Sequence, residues 1–195
     1  MIRSKQLVFV LGALFVTTLL SAAEEKKAGP PKPGPEVKKL AYFVGTWNSE
    51  GEVKANPMMP AGKMTSTDVC SWYPGGFFVV CNSKGTGPMG ATHGMGLLGY
   101  SMEDKTYSYS GIDSTGYASR GSGATDGKSW TYTSEDKMGG KVQYSRYTMT
   151  DLTPDSYSFK WETSEDNKTW NTVMEGKSTK AAAKAGEKKE AAPKK

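Results

Sequence analysis

The chain has 195 residues, with 25 Lys and Arg against 20 Asp and Glu, and a formal charge of +5. That excess sits at the ends, because residues 36–178 hold 14 basic and 16 acidic side chains, about −2. A domain without a basic stripe lacks what duplex binding needs, so nucleic acid is not expected as a partner.

Residues 1–23 read as a secretory signal. Arg3 and Lys5 form the basic start, Leu7 to Leu20 the apolar run, and Ser21-Ala22-Ala23 a small-residue cleavage site. The run is short of the ~20 residues a membrane span needs, and no other apolar run is long enough. The expected localisation is therefore periplasmic or secreted. Residues 24–35 are a charged, Pro-rich linker that cannot pack a core.

Pro35 is placed to start a helical turn, since proline at the first helical position loses no needed hydrogen bond. Leu40 and Phe43 share its apolar face. From Trp47 the period becomes two, with Trp47, Ser49, Gly51 and Val53 on one side and Thr46, Asn48, Glu50 and Glu52 facing water. Gly45 lies where the backbone must turn from helix to strand.

Turn signals then recur every 8–12 residues, the spacing of a sandwich or barrel. They include Pro74-Gly75-Gly76, Glu103-Asp104-Lys105, Asp113 to Gly116, Met138-Gly139-Gly140 and Glu165 to Lys168. Between them lie segments rich in Tyr, Trp, Thr and Val. Every connection is short, so sequential strands pair as neighbours. The expected fold is all-β: an up-and-down meander barrel of about ten strands over residues 36–178, with a short N-terminal helical turn. Residues 179–195 read as a basic Lys/Ala/Glu-rich disordered tail.

Cys70 and Cys81 flank a hairpin turning at Pro74-Gly75-Gly76. A four-residue loop pairs Tyr73 with Phe78, Trp72 with Val79 and Cys70 with Cys81, at a non-hydrogen-bonded pair where Cβ atoms come closest. A disulfide is expected in an oxidising compartment. The alternative is two inert buried thiols.

The opening Gly45-Thr46-Trp47 strand resembles the start of lipocalin-like barrels. Together with Gly99-Tyr100, Tyr107, Ile112-Asp113-Ser114 and the closing Trp170 to Glu175, it resembles an uncharacterised bacterial family of secreted lipocalin-like (calycin) domains. That resemblance implies the fold and transfers no site. A more distant resemblance is to nitrobindin-like barrels, which implies haem. Their iron-binding His lies near the C-terminus, where this chain has Asn171-Thr172-Val173-Met174, and the sole histidine, His93, lies elsewhere.

No cofactor or metal is therefore expected. Two cysteines and one distant His are too few for zinc, and the methionines read as core filler rather than a copper site. No catalytic triad or hydrolase, metalloprotease or phosphate-loop motif is present, so no enzyme is expected.

The candidate ligand wall is aromatic: Trp47, Tyr109, Trp130, Tyr132, Phe159 and Trp161, with Trp170 as a further candidate. Arg146 shares a strand face with Val142 and Tyr144, against Gln143, Ser145, Tyr147 and Met149 on the other. Two readings stay open. Inside, Arg146 would be a cation fixing the polar end of an acidic lipid, with Tyr144 or Asp113 orienting it. Outside, it would be solvated.

The expected function is non-catalytic binding of a small apolar or amphiphilic, lipid-like ligand. A structural or envelope-interaction protein with a packed barrel is the alternative, and a haem-binding or enzymatic barrel is a third.

Overall fold

The computed structural model describes residues 31–57, 59–138 and 140–182. The signal, most of the linker and most of the tail lie outside them. Ten antiparallel strands close into a barrel in which each strand pairs with its sequence neighbours and the first with the last. They are β1 (Gly45–Val53), β2 (Gly62–Trp72), β3 (Val79–Gly87), β4 (Gly90–Ser101) and β5 (Thr106–Asp113), then β6 (Ala118–Thr125), β7 (Trp130–Met138), β8 (Lys141–Thr153), β9 (Ser156–Ser164) and β10 (Asn171–Lys180). This is the expected meander.

One end is closed by α1 (Pro35–Lys39) and a following 3₁₀ turn over Leu40–Phe43. The helix is short but tied down. Leu40 is wholly buried, and Val37 and Phe43 nearly so. Tyr107 Oη donates to a Glu36 carboxylate oxygen at 2.7 Å, and Trp47 Nε1 to the Phe43 carbonyl at 2.8 Å. Gly45, at φ +127°, takes the chain from this plug into β1, a conformation that a side chain would strain. The core sits on the plug: Trp47, Val79, Leu98, Tyr107, Trp130, Tyr132, Met149 and Phe159. Trp130 meets Phe43 at 5.0 Å and Tyr107 at 4.7 Å between ring centroids, both edge-on. Such edge contacts add to the area these rings bury.

The hairpin register matches the expectation. Trp72 pairs with Val79 and Cys70 with Cys81, and the two cysteines form a disulfide across Cα atoms 4.0 Å apart. The expected end of the domain at Ser178 needs correction. Strand β10 runs on to Lys180, whose partner is Trp47, and the Ala181 amide bonds the Thr46 carbonyl. Lys180 Nζ donates to the Tyr42 carbonyl at 3.2 Å and lies 4.8 Å from the Trp47 ring centre. Composition alone hid these residues in a Lys/Ala run. A long lysine stem covering an aromatic ring is nevertheless a packing element.

Candidate functional site

The strands present alternate residues inward, so the inner wall can be read in layers from the plug upward. The lowest layer is the core just described. Above it lie Asp68 and Ser66 on β2, Ser83 on β3, Tyr109 on β5, Ser134 on β7, Tyr147 and Ser145 on β8, Trp161 on β9 and Met174 on β10. All of these are only half-buried although they face into the barrel. Residues of the same strands in the lower layer, such as Met149 and Phe159, are buried. The only described helix plugs the lower end. The inner space away from α1, here the lumen, is thus lined by residues that keep part of their surface accessible, although Val53 and Thr163 on the same wall are buried.

Glycines make room on this wall and aromatics lie across them. A Cβ on Gly96 would come within 3.2 Å of the Tyr109 ring, and one on Gly111 would collide with the Tyr109 hydroxyl. A Cβ on Gly123 would sit 2.5 Å from the Tyr132 ring. Tyr132 also stacks parallel to Trp130, with ring centroids 6.2 Å apart. The Tyr132 hydroxyl is buried without a hydrogen-bond partner among the described residues. A polar atom brought to it would remove a desolvation cost of about 1–3 kcal/mol.

Asp68 is the polar centre of the lumen. Its carboxylate accepts hydrogen bonds from Ser83 Oγ and, at 3.2 Å, from Ser66 Oγ. No Lys, Arg or His among the described residues forms an ion pair with it. Its field reaches hydroxyls on three other strands. Burial, chiefly, pushes Tyr147 well above its ordinary 10.0, and the charges of Tyr157, Asp68 and Tyr109 add to it. Burial also raises Tyr109, and Asp68 and Asp113 raise it further against a lowering bond with Ser119. Tyr157 is raised by burial and by Asp68, against a lowering bond with Ser178. Raised in this way, these phenols favour the neutral form, which can donate a hydrogen bond.

Two more carboxylates stand toward the mouth. Asp113 takes bonds from Thr115 N at 2.7 Å and Tyr117 N at 3.2 Å. Burial alone would raise its pKa, but bonds from Thr115 and Tyr117 outweigh it and hold the group below 3.8. Asp136 accepts from Ser134 Oγ at 2.8 Å and from Tyr117 Oη at 3.3 Å.

The expected site residues divide three ways. Tyr109 and Trp161 line the lumen. Trp47, Trp130, Tyr132 and Phe159 face inward but belong to the packed lower core. Arg146 and Tyr144 do not face the lumen at all, which corrects the internal-cation reading. Arg146 Nε and Nη2 both donate to Glu162 Oε2, at 3.0 and 2.8 Å. Its guanidinium also lies 4.2 Å from the ring centre of Trp170, which is therefore outside too. The cause is parity: Tyr147 and Met149 take the inner face of β8, which leaves Tyr144, Arg146 and Thr148 outside with Lys160 and Glu162 of β9. His93 likewise lies exposed on the outer face of β4.

Sequence reasoning passed over Asp68, Ser66, Ser83 and Tyr147. The signal was present in β2, where Met64, Ser66, Asp68, Cys70 and Trp72 share one parity. An inward Cys70 places Asp68 inside.

The fold is a ten-stranded antiparallel meander β-barrel with one short helix covering one end. The chain belongs to the family described as Protein of unknown function (DUF1579), whose profile matches residues 32–180. No curated protein matches it. Among solved structures it is similar to Rv2717c from M. tuberculosis, with 11% identity, a TM-score of 0.53, and coverage of 76% of this chain and 99% of that one. It is also similar to the S-type phycobiliprotein lyase CPES from Guillardia theta, with 9% identity, a TM-score of 0.49, and coverage of 75% and 93%. At such identities the likeness concerns the fold alone.

Proposed function

We propose that this is an exported, non-catalytic binding protein whose lumen holds one small amphiphilic molecule. The observation that carries the reading is the partial accessibility of inward-facing Asp68, Tyr109, Tyr147 and Trp161 above a buried aromatic floor. Small barrels either fill with side chains or hold a small ligand, and an accessible upper wall supports the second. Aromatic flanks with a few convergent polar groups are the usual chemistry of such a pocket. Export rests on the signal-like residues 1–23 and is supported by the Cys70–Cys81 disulfide, since such bonds persist in oxidising compartments.

The test is native mass spectrometry and solvent extraction of protein purified from its producing cell. A chain starting near Glu24 that carries one released small molecule is the expected result. A full-length cytosolic product would overturn the export reading, and folded protein with neither a bound species nor any ligand-induced tryptophan quenching would overturn the binding reading.

A second reading has its own support. Val69, Met95, Leu97 and Ile112 are exposed on the outer faces of β2, β4 and β5. Cross-strand pairing sets Met95 beside Ile112. Such a stripe suits contact with another macromolecule. This reading gains only if the lumen proves unable to hold any small molecule.

A further inference from the structure

The ionisable groups that the strands turn inward are unequal in sign. Asp68, Asp113 and Asp136 face the lumen or its mouth from β2, β5 and β7. The inward basic groups among the described strands are two, and neither forms an ion pair with Asp68, although Lys180 and Asp68 flank the same residue, Trp47, in the sheet. Lys180 is held at the closed end by the Tyr42 carbonyl and the Trp47 ring. Lys141 is the first residue of β8, exposed at the open rim. Arg146, the cation that would have matched an acidic lipid, is committed to Glu162 outside.

Among the described residues, Asp68 is thus an inward carboxylate that accepts hydrogen bonds from the hydroxyls of Ser66 and Ser83 alone. A carboxylate turned inward is stabilised most by a charge partner, and none of the described residues forms an ion pair with it. Aromatic rings share the inner face of the barrel with it. Tyr109 and Tyr132 meet edge to face at 6.3 Å, and Tyr147 stacks on Phe159 at 6.0 Å. The negative ring faces of tyrosine attract ammonium groups, and more strongly where water is scarce. The carboxylates at the mouth would raise the local concentration of a cation approaching from solvent.

We infer that the lumen selects an organic cation, an amine or methylated ammonium carried on a short apolar stem, with its charged head against Asp68 among Tyr109 and Tyr147. This rests on the lumen reading above and reverses the sign of ligand that the aromatic-plus-arginine pattern suggested. The apolar stem would extend toward Trp161, Met64 and Met174, which share the half-buried inner wall.

The experiment separates the two claims by holding the tail constant and changing the head. Tryptophan fluorescence of the full barrel is titrated with decyltrimethylammonium, decanol and decanoate, each below its aggregation limit. The ammonium should bind tighter than decanoate by roughly tenfold or more. Asp68→Asn should abolish that preference while leaving decanol binding intact, and Arg146→Ala, outside the barrel, should change neither.

Decanoate binding as tightly as the ammonium, or a preference that survives Asp68→Asn in folded protein, overturns the cation inference but leaves a binding lumen. If none of the three probes binds folded protein, the lumen reading fails and the inference with it. Should Asp68→Asn not fold, the head-group comparison on the parent protein decides alone: a cation preference that weakens as salt rises supports the inference, and indifference to head charge refutes it.

Discussion

The disulfide offers a perturbation whose size can be worked from the structure. Cys70 and Cys81 are eleven residues apart and directly opposite in the β2–β3 ladder. In the chain-entropy treatment, closing a loop of that length removes about 9 cal/mol/K from the unfolded chain, or roughly 2.8 kcal/mol at 25 °C. Removal of the buried Cys70 sulfur, which leaves only the Cβ methyl, adds to the loss in the same direction. The double variant Cys70→Ala/Cys81→Ala avoids stray thiols and should unfold at lower urea. A domain of this size shifts by about 3 °C per kcal/mol, so its melting temperature should fall by roughly 8–10 °C. The urea m-value should rise slightly, because the uncrosslinked chain opens further. An unchanged midpoint would refute the reasoning. So would free thiols in protein freshly isolated from an oxidising compartment.

Three other outcomes follow from the same geometry. Truncation after Ser178 removes the Lys180 contacts with Tyr42 and Trp47 and should cost about 1–3 kcal/mol, whereas truncation after Ala182 should leave the melting temperature unchanged. Gly123→Ala places a Cβ against the Tyr132 ring and should destabilise by about 1–3 kcal/mol in a thermal melt. Alkali should unfold the barrel: burial pushes Tyr42 up to about 12 and raises Tyr109, Tyr147 and Tyr157 as well. Between an unfolded tyrosine near 10.0 and these raised values the unfolded chain loses protons first, so stability falls as pH rises above about 10. Part of the tyrosine ionisation absorbance should then appear together with the loss of near-ultraviolet circular dichroism, and complete ionisation before unfolding would contradict the burial.

Local pattern made the architecture legible because most of it is local. Short turns between alternating strands leave few topologies besides a meander, and the Cys70–Cys81 register followed from counting residues around one turn. The site was harder. Strand alternation separates two faces but does not say which is inner, and on β8 both faces carry tyrosines. Arg146 drew attention as the unusual charge, yet its partner Glu162 lies directly opposite on the next strand, in a register offset by the irregularity between Thr150 and Thr153. The aromatics were read as one wall, but those near the plug, Trp47, Trp130 and Phe159, are consumed in sealing the floor. Only those higher up, Tyr109 and Trp161, remain accessible. Asp68 escaped notice because a lone aspartate in a Ser/Thr-rich strand looks like surface, and its direction was implicit only in its parity with Cys70.

The central claim is that the upper half of the barrel is an open lumen, and filling it tests this most directly. Ser145 is half-buried on the inner face of β8, opposite Ser134 and Thr163. In a packed interior, Ser145→Phe would force its neighbours aside at a cost of about 1–3 kcal/mol or more. In an open lumen the ring occupies free space. The account predicts a variant that melts within a degree or two of the parent and no longer binds a small amphiphile by tryptophan quenching. A strongly destabilised or unfolded variant would contradict it, since that would mean the space was already full.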